Sequence, residues 1–193
     1  MNMLKNILSL IGSLVIVGAL VAYISFGDKV SKLDPAAIGL YMQMAEDVMN
    51  TGDAAASMVK IVPLEDGVAP EDAIDAIKSV AEENNMLIVS DTIMFRSGEK
   101  DYAGNPTRHV QIISLCNKQI ARDFIDYSKA FGAFMPCRII LIEGKDGKFY
   151  LATMKLDLMI AGGHPLTPEM REMAEKVATT MYGAVDKAAK GEW

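Results

Sequence analysis

The chain has 193 residues, 51% of them apolar, with 19 Lys and Arg against 25 Asp and Glu, a formal net charge of −6. A length of this order supports one domain of ordinary size with a real hydrophobic core. The negative balance argues against nucleic acid as a partner, since phosphate recognition draws on clustered Lys and Arg. Two Cys and two His are too few for a disulfide scaffold or a four-cysteine zinc site.

Between Lys5 and Asp28 no side chain is charged. A helix over this window rises about 1.5 Å per residue and spans roughly 33 Å, enough for a hydrocarbon core of about 30 Å. Tyr23 and Phe26 near its end suit a membrane interface. The rival is a cleaved signal peptide, whose apolar region is usually about 7 to 15 residues and ends in a small-x-small site. Here the run is longer, and Ala22-Tyr23-Ile24 and Ser25-Phe26-Gly27 match such a site poorly. The expectation is a single transmembrane signal anchor over residues 1–27, with the lipid bilayer as a partner. Lys5 and the initiating amine lie on one side, and Lys29 and Lys32 beside Asp28 and Asp34 on the other. The short leading tail favours a cytoplasmic N-terminus in the inner (cytoplasmic) membrane and a periplasmic or extracytoplasmic C-terminal domain. Residues 28–193 hold 18 basic and 25 acidic groups, so anionic headgroups repel this part.

Residues 28–55 read as a juxtamembrane helix and connection. Asp34 and Pro35 serve as N-cap and first helical residue, Ile38, Tyr41, Met42, Ala45, Val48 and Met49 follow at helical spacing, and Asn50-Thr51-Gly52 ends the run. Residues 56–193 form the expected α+β domain. Ser57 to Val62 reads as a strand stopped by Pro63. Pro70, Glu71 and Asp72 open a helix with acids where the macrodipole favours them. Strands Met86 to Val89 and Thr92 to Phe95 follow, then a polar loop over 97–106. The strand from Arg108 to Leu115 alternates, with His109, Gln111, Ile113 and Leu115 on one face. Asn117 caps a helix whose inner face is Ile120, Ala121, Phe124 and Ile125. Strands Arg138 to Glu143 and Lys148 to Met154 are joined by Gly144-Lys145-Asp146-Gly147, a hairpin signal. Thr167 and Pro168 open a long helix carrying Met170, Met173, Val177, Met181, Ala184 and Ala188 in one stripe. The fold class expected is α+β, an antiparallel or mixed sheet with packed helices behind one N-terminal transmembrane helix.

The strand ending in Ser114-Leu115-Cys116-Asn117, a helix, Phe134-Met135-Pro136-Cys137-Arg138, a further strand and the Asp146-Gly147-Lys148 hairpin together resemble the bacterial and archaeal family called domain of unknown function 302. The resemblance covers roughly residues 56 to 188. In that family a Pro commonly follows the Asn, where this chain has Lys118. The resemblance implies a compact α+β fold, often assembled as a dimer, brings no established activity for most members, and suggests haem in some.

Cys116 and Cys137 admit three readings. In an oxidising compartment a disulfide closes a loop of 21 residue steps, worth roughly 3 kcal/mol in the chain-entropy model. They are alternatively two buried thiols acting as small hydrophobes. In the third reading they are a redox pair, with the Cys116 thiolate favoured by the following helix N-terminus. His109 in an alternating strand is a structural residue or a ligand, and His164 in Gly162-Gly163-His164-Pro165 lies on a loop suited to a ligand or interface role. The absence of Cys-x-x-Cys-His excludes c-type haem, whereas haem b needs only one or two axial His or Met side chains. A metal site is unspecified. The 14 Met fall mostly on helical stripes, where Met fills core gaps. No common catalytic motif is present. The function expected is a non-enzymatic, membrane-anchored binding or accessory module, a homo-oligomer or a subunit among other membrane chains. The alternative is a membrane-tethered haem b or thiol redox protein.

Overall fold

The computed structural model describes residues 2–192. Met1, whose amine enters the charge comparison, and Trp193 lie outside them. The first helix, α1 (Asn2–Val30), is long and apolar enough to cross a membrane, and none of its apolar window is buried. It runs past the expected boundary at residue 27.

The second helix, α2 (Ala37–Thr51), starts later than Asp34-Pro35 suggests. Asp34 is buried and is not the cap of that helix. Its N–H donates to the Gly163 carbonyl (2.8 Å), one carboxylate oxygen accepts from the Ala36 N–H (2.9 Å), and the other pairs with the Arg171 guanidinium. An ion pair across the fold thus holds the carboxylate that sequence pattern assigns to a local cap.

A short helix, α3 (Ala54–Ser57), capped by Asp53, occupies the start of the expected strand, so β1 (Val59–Pro63) begins later and retains Pro63. This strand is an edge, where proline is tolerated. Helix α4 (Pro70–Glu83) is as expected. The two strands read at 86–95 are one, β2 (Leu87–Phe95), with a bulge between Ile88 and Ser90. A bulge resets the alternation, which is why the segment reads as two. Next come β3 (Val110–Cys116) and α5 (Lys118–Tyr127), where Asn117 Oδ1 accepts from the Ile120 N–H at 3.1 Å. A 3-10 turn (Lys129–Phe134) leads into β4 (Cys137–Glu143) and its hairpin partner β5 (Phe149–Met154). A short α6 (Asp157–Ala161) and the long α7 (Pro168–Ala189), capped by Thr167, complete the chain.

The sheet is antiparallel throughout, in the order β1-β5-β4-β3-β2. Because side chains alternate along a strand, the pairings sort it into two faces. Helices α4 and α7 cover the face bearing Ile113, Leu115, Ile139, Leu141 and Leu151, and together these form the main core. From the α7 stripe, Met181, Ala184 and Ala188 enter that core, while Met170 and Met173 pack on a smaller cluster of Phe124, Leu166 and Ala174. The α+β class is therefore an antiparallel sheet with helices packed on one side.

Candidate functional site

The residues singled out by sequence do not converge. Cys116 and Cys137 are free, half-buried thiols on neighbouring strands. Leu115, not Cys116, stands opposite Cys137, and alternation turns Cys116 to the other face. The structure therefore holds no disulfide between them. Burial pushes the Cys116 thiol up from its ordinary value, against the lowering expected from the following helix N-terminus. The Asn117 side chain has already engaged the first turn of α5. Cys137 faces the core, where burial first and the nearby Cys116 second push it up to about 11. Both thiols are thus protonated at neutral pH, the state in which cysteine is a poor nucleophile.

His109 immediately precedes β3, on the helix-covered side. Its backbone N–H donates to Glu143 Oε2 (2.9 Å), its ring lies 5.9 Å from that of Phe149, and its Nε2 is 3.3 Å from Gln111 Oε1. Gln111 Nε2 donates to Asp91 Oδ1 (2.6 Å), and Lys78 of α4 holds the other carboxylate oxygen at 2.8 Å. That direction makes Gln111 Oε1 the acceptor from the imidazole, and so assigns the proton to Nε2. Burial pushes Asp91 up, but the hydrogen bonds from Lys78 and Gln111 outweigh it and hold the carboxyl below its ordinary range. This chain ties α4 to the sheet. His164 is exposed on the loop between α6 and α7, far along the chain from that network. The loop is pinned to α2, with the Tyr41 hydroxyl donating to the Gly162 carbonyl at 2.9 Å.

Two features that sequence reasoning missed are better formed. The first is the sheet face opposite α4 and α7. It presents Ile61, Ala152, Ile140 and Ile112 across four strands, flanked by Val110, Ile142, Tyr150, Met154 and Leu87, and among its described residues Arg138 alone is charged. Ile61 is 53% exposed and Leu87 46%. The signal was legible as the apolar residues at alternate positions to the core, but strands apolar on both faces read the same whether one face is covered or two.

The second feature opens from one end of this face. Val59, Ile61 and Met154 continue into a groove of about 630 Å³ beneath α2, whose polar wall holds Asp47, Lys60, Lys155, Asp157 and Tyr182. Lys60 pairs with Asp186 at 2.6 Å and lies 5.6 Å above the Tyr182 ring, and Lys155 pairs with Asp47 at 3.1 Å. The Tyr182 hydroxyl accepts from the Leu156 N–H (2.6 Å) and donates to Asp157 (2.8 Å). Burial pushes this phenol up to about 12, with the Asp157 carboxylate adding to the effect. Behind the groove lies an apolar cavity of about 70 Å³ lined by side chains that include Phe124, Phe131, Cys137 and Val177; Phe134 and Met159 belong to both walls.

These residues do not fit haem b held by histidine. Neither His109 nor His164 lines the cavity or the groove, so neither hollow offers haem a histidine ligand. Among the described residues no three His, Cys, Asp or Glu side chains gather as a metal-binding group.

Residues 61–188 match the model of a family described as a domain of unknown function, DUF302. No curated protein sequence matches the chain. Among solved structures, the chain is similar to an uncharacterized conserved protein DUF302 from Bacillus stearothermophilus, with 14% identity and a TM-score of 0.52, over 68% of this chain and 98% of that one. At this identity the likeness shows the fold.

Proposed function

The chain belongs to the DUF302 family, and from that premise we propose that it is a non-enzymatic binding module, held on the inner membrane by α1 with its domain outside the cytoplasm, that assembles by pairing the open faces of two copies. The observation that carries this reading is the uncovered sheet face, apolar across β1, β5, β4 and most of β3, with Ser90, Thr92 and Ser114 toward the β2 edge and Arg138 alone charged among its described residues. A sheet hides an apolar face by packing it on another layer, and this sheet has used its helices on the other side. Five strands at about 4.8 Å, each of about six residues at about 3.3 Å, make a plan area of roughly 500 Å². That is below the roughly 800 Å² per partner of a standard stable interface. Such a face supports a second copy brought to it by a shared membrane, where tethering raises effective concentration. The turn after α1 is itself hydrogen-bonded, Ser31 N–H to the Gly27 carbonyl (2.9 Å) and Leu33 N–H to that of Val30 (3.1 Å). Beyond it the buried Asp34 carboxylate, paired with the part-exposed Arg171, clamps the start of the domain, so two copies in one bilayer meet at one height.

The test is the mass of the full chain extracted together with its surrounding bilayer in polymer-bounded lipid discs, which keeps the shared membrane that the pairing needs. The expected result is a dimer that Ile61→Asp, at a 53% exposed position on the edge strand, converts to monomer while the domain stays folded. A wild-type chain that is monomeric at every concentration sinks the reading. A complex whose mass is no multiple of the chain gives the face to a different membrane subunit.

A further inference from the structure

We propose that the groove beneath α2 and the apolar cavity behind it are one binding site for a single-chain, uncharged amphiphile from the bilayer, a monoacylglycerol in chemical class. Its chain lies along the groove and ends between Phe134 and Met159, and its hydroxylated head lies among Lys60, Lys155, Asp47 and Asp157. The site relies on the membrane reading of α1 for the supply of its ligand; it shares Val59, Ile61 and Met154 with the open face, and its test reads ligand contact at Phe134, Met159 and Val177 whether or not two faces pair.

Volume selects the tail. The inner cavity, about 70 Å³, equals two to three water volumes of about 30 Å³. It accepts the end of an alkyl chain and refuses a ring. Its wall is formed by aromatic and aliphatic side chains and the Cys137 thiol, so water there finds few of the two to four polar partners it needs. The outer groove, at about 630 Å³, is apolar along Leu40, Met44, Met58 and Met154 and polar at one side. A ligand that is apolar over most of its length and polar at one end matches that division.

Charge selects the head. The groove is lined by two lysines, Lys60 and Lys155, and two aspartates, Asp47 and Asp157, so its formal charge is balanced. Each of these groups already has a partner: Asp186 for Lys60, Asp47 for Lys155 and the Tyr182 hydroxyl for Asp157. A charged head adds an uncompensated charge to a part-buried site whose charges already balance, and loses hydration there with no free counter-ion to replace it. Hydroxyl groups donate to the carboxylates and accept from the ammonium groups without disturbing either pair.

Position supplies the ligand. Helix α2, one wall of the groove, begins a few residues after α1 ends, across a hydrogen-bonded turn. Leu40, at the near end of the groove, is ten residues from Val30, which keeps that end within about 35 Å of the inserted helix.

The experiment uses the full chain in phosphatidylcholine nanodiscs and a decanoylglycerol with a photoreactive diazirine at the chain terminus, labelled residues being mapped by mass spectrometry. The expected labels fall on α1, which meets the probe in lipid, and on Phe134, Met159 or Val177 in the domain. Unlabelled decanoylglycerol at about ten times its Kd reduces the domain label about tenfold and leaves the α1 label unchanged, and Val177→Phe, which fills the cavity, does the same. Decanoate and decyltrimethylammonium at equal concentration compete less well. Label on α1 alone, or domain label that unlabelled decanoylglycerol fails to reduce, overturns the site, and equal competition by decanoate overturns the uncharged head. Domain label without α1 label supports the site and refutes the anchor. The competition arm uses the unaltered chain, so it decides the matter even if the Val177 variant does not fold.

Discussion

Leu141 and Ile140 are neighbours on β4, and the fold treats them in opposite ways. Leu141 is 1% exposed beneath α4 and α7, in register with Leu151 and Gln111. Ile140 points to the other side, between Ile112 and Ala152, where no helix covers it and the neighbouring Ile61 is 53% exposed. The two faces have similar residues and different work. Apolar area removed from water on the helix side stabilises the single chain; the same kind of area on the open side stays in contact with water in the single chain and is what the proposed pairing would cover.

The sharpest way to break this comparison is to delete equivalent side chains from the two faces. Leu151→Ala, at a site with 0% exposure, is expected to cost about 2–5 kcal/mol of stability by lost transfer energy and a residual cavity. Ile140→Ala, half-buried in the single chain, is expected to cost clearly less in the monomer. Chemical denaturation of both variants under dissociating conditions checks this, and equal losses would mean that the open face is as well packed as the core.

Next in size is the clamp between the membrane side and the domain. Arg171→Leu leaves the buried Asp34 carboxylate without its cation, a change of about 3 kcal/mol for a broken buried pair. The effect belongs at the low end of such losses because the Ala36 N–H still donates to Asp34. A thermal unfolding series that finds no change would show that the juxtamembrane turn is not held by this pair.

The Tyr182 hydroxyl gives a smaller effect with a pH signature. Tyr182→Phe removes the hydrogen bonds to Leu156 and Asp157, worth about 1 kcal/mol each. Burial pushes the folded phenol up to about 12 from an ordinary 10.0, so the folded state favours its neutral form. Its contribution is complete below pH 10.0 and is lost as pH rises through about 12. The wild type should lose this stability across that alkaline window and the Phe variant should lose less. Cys137, raised from 9.0 to about 11, contributes with the same sign in an overlapping window.

The smallest effect concerns the thiols, one on each face. Both should react with a thiol reagent in the denatured chain under non-reducing conditions. In the folded chain Cys116 should react well before Cys137, which faces the core with a thiol raised to about 11. A disulfide recovered from the native protein would contradict the register that separates them.

Much of this molecule follows from local pattern. The long uncharged window, the Asn117 cap, the Gly144 to Gly147 hairpin and the Thr167-Pro168 start all appear where local chemistry puts them. The misses have a common cause in long-range contacts. Asp34 reads as a cap until Arg171, distant in sequence, is brought beside it. The strand at 87–95 reads as two because its bulge is visible only against β3. Lys60, between two apolar strand residues, carried a signal, since a charge at an inward position needs a partner, but its partners Asp186 and Tyr182 lie on the last helix. The candidate cysteines and histidines were rare residues with local arguments, and the fold placed them on different faces and loops.

Composition, the uncharged window and strand periodicity by themselves determine that this chain has an apolar N-terminal helix and an α+β domain, because those properties depend on neighbours within a few residues. Which face of the sheet the helices cover, which ion pairs close the groove under α2, and where Cys116 and Cys137 end up were decided only by tertiary structure. Alternation gives a strand two faces and does not say which of them a distant helix will take from water.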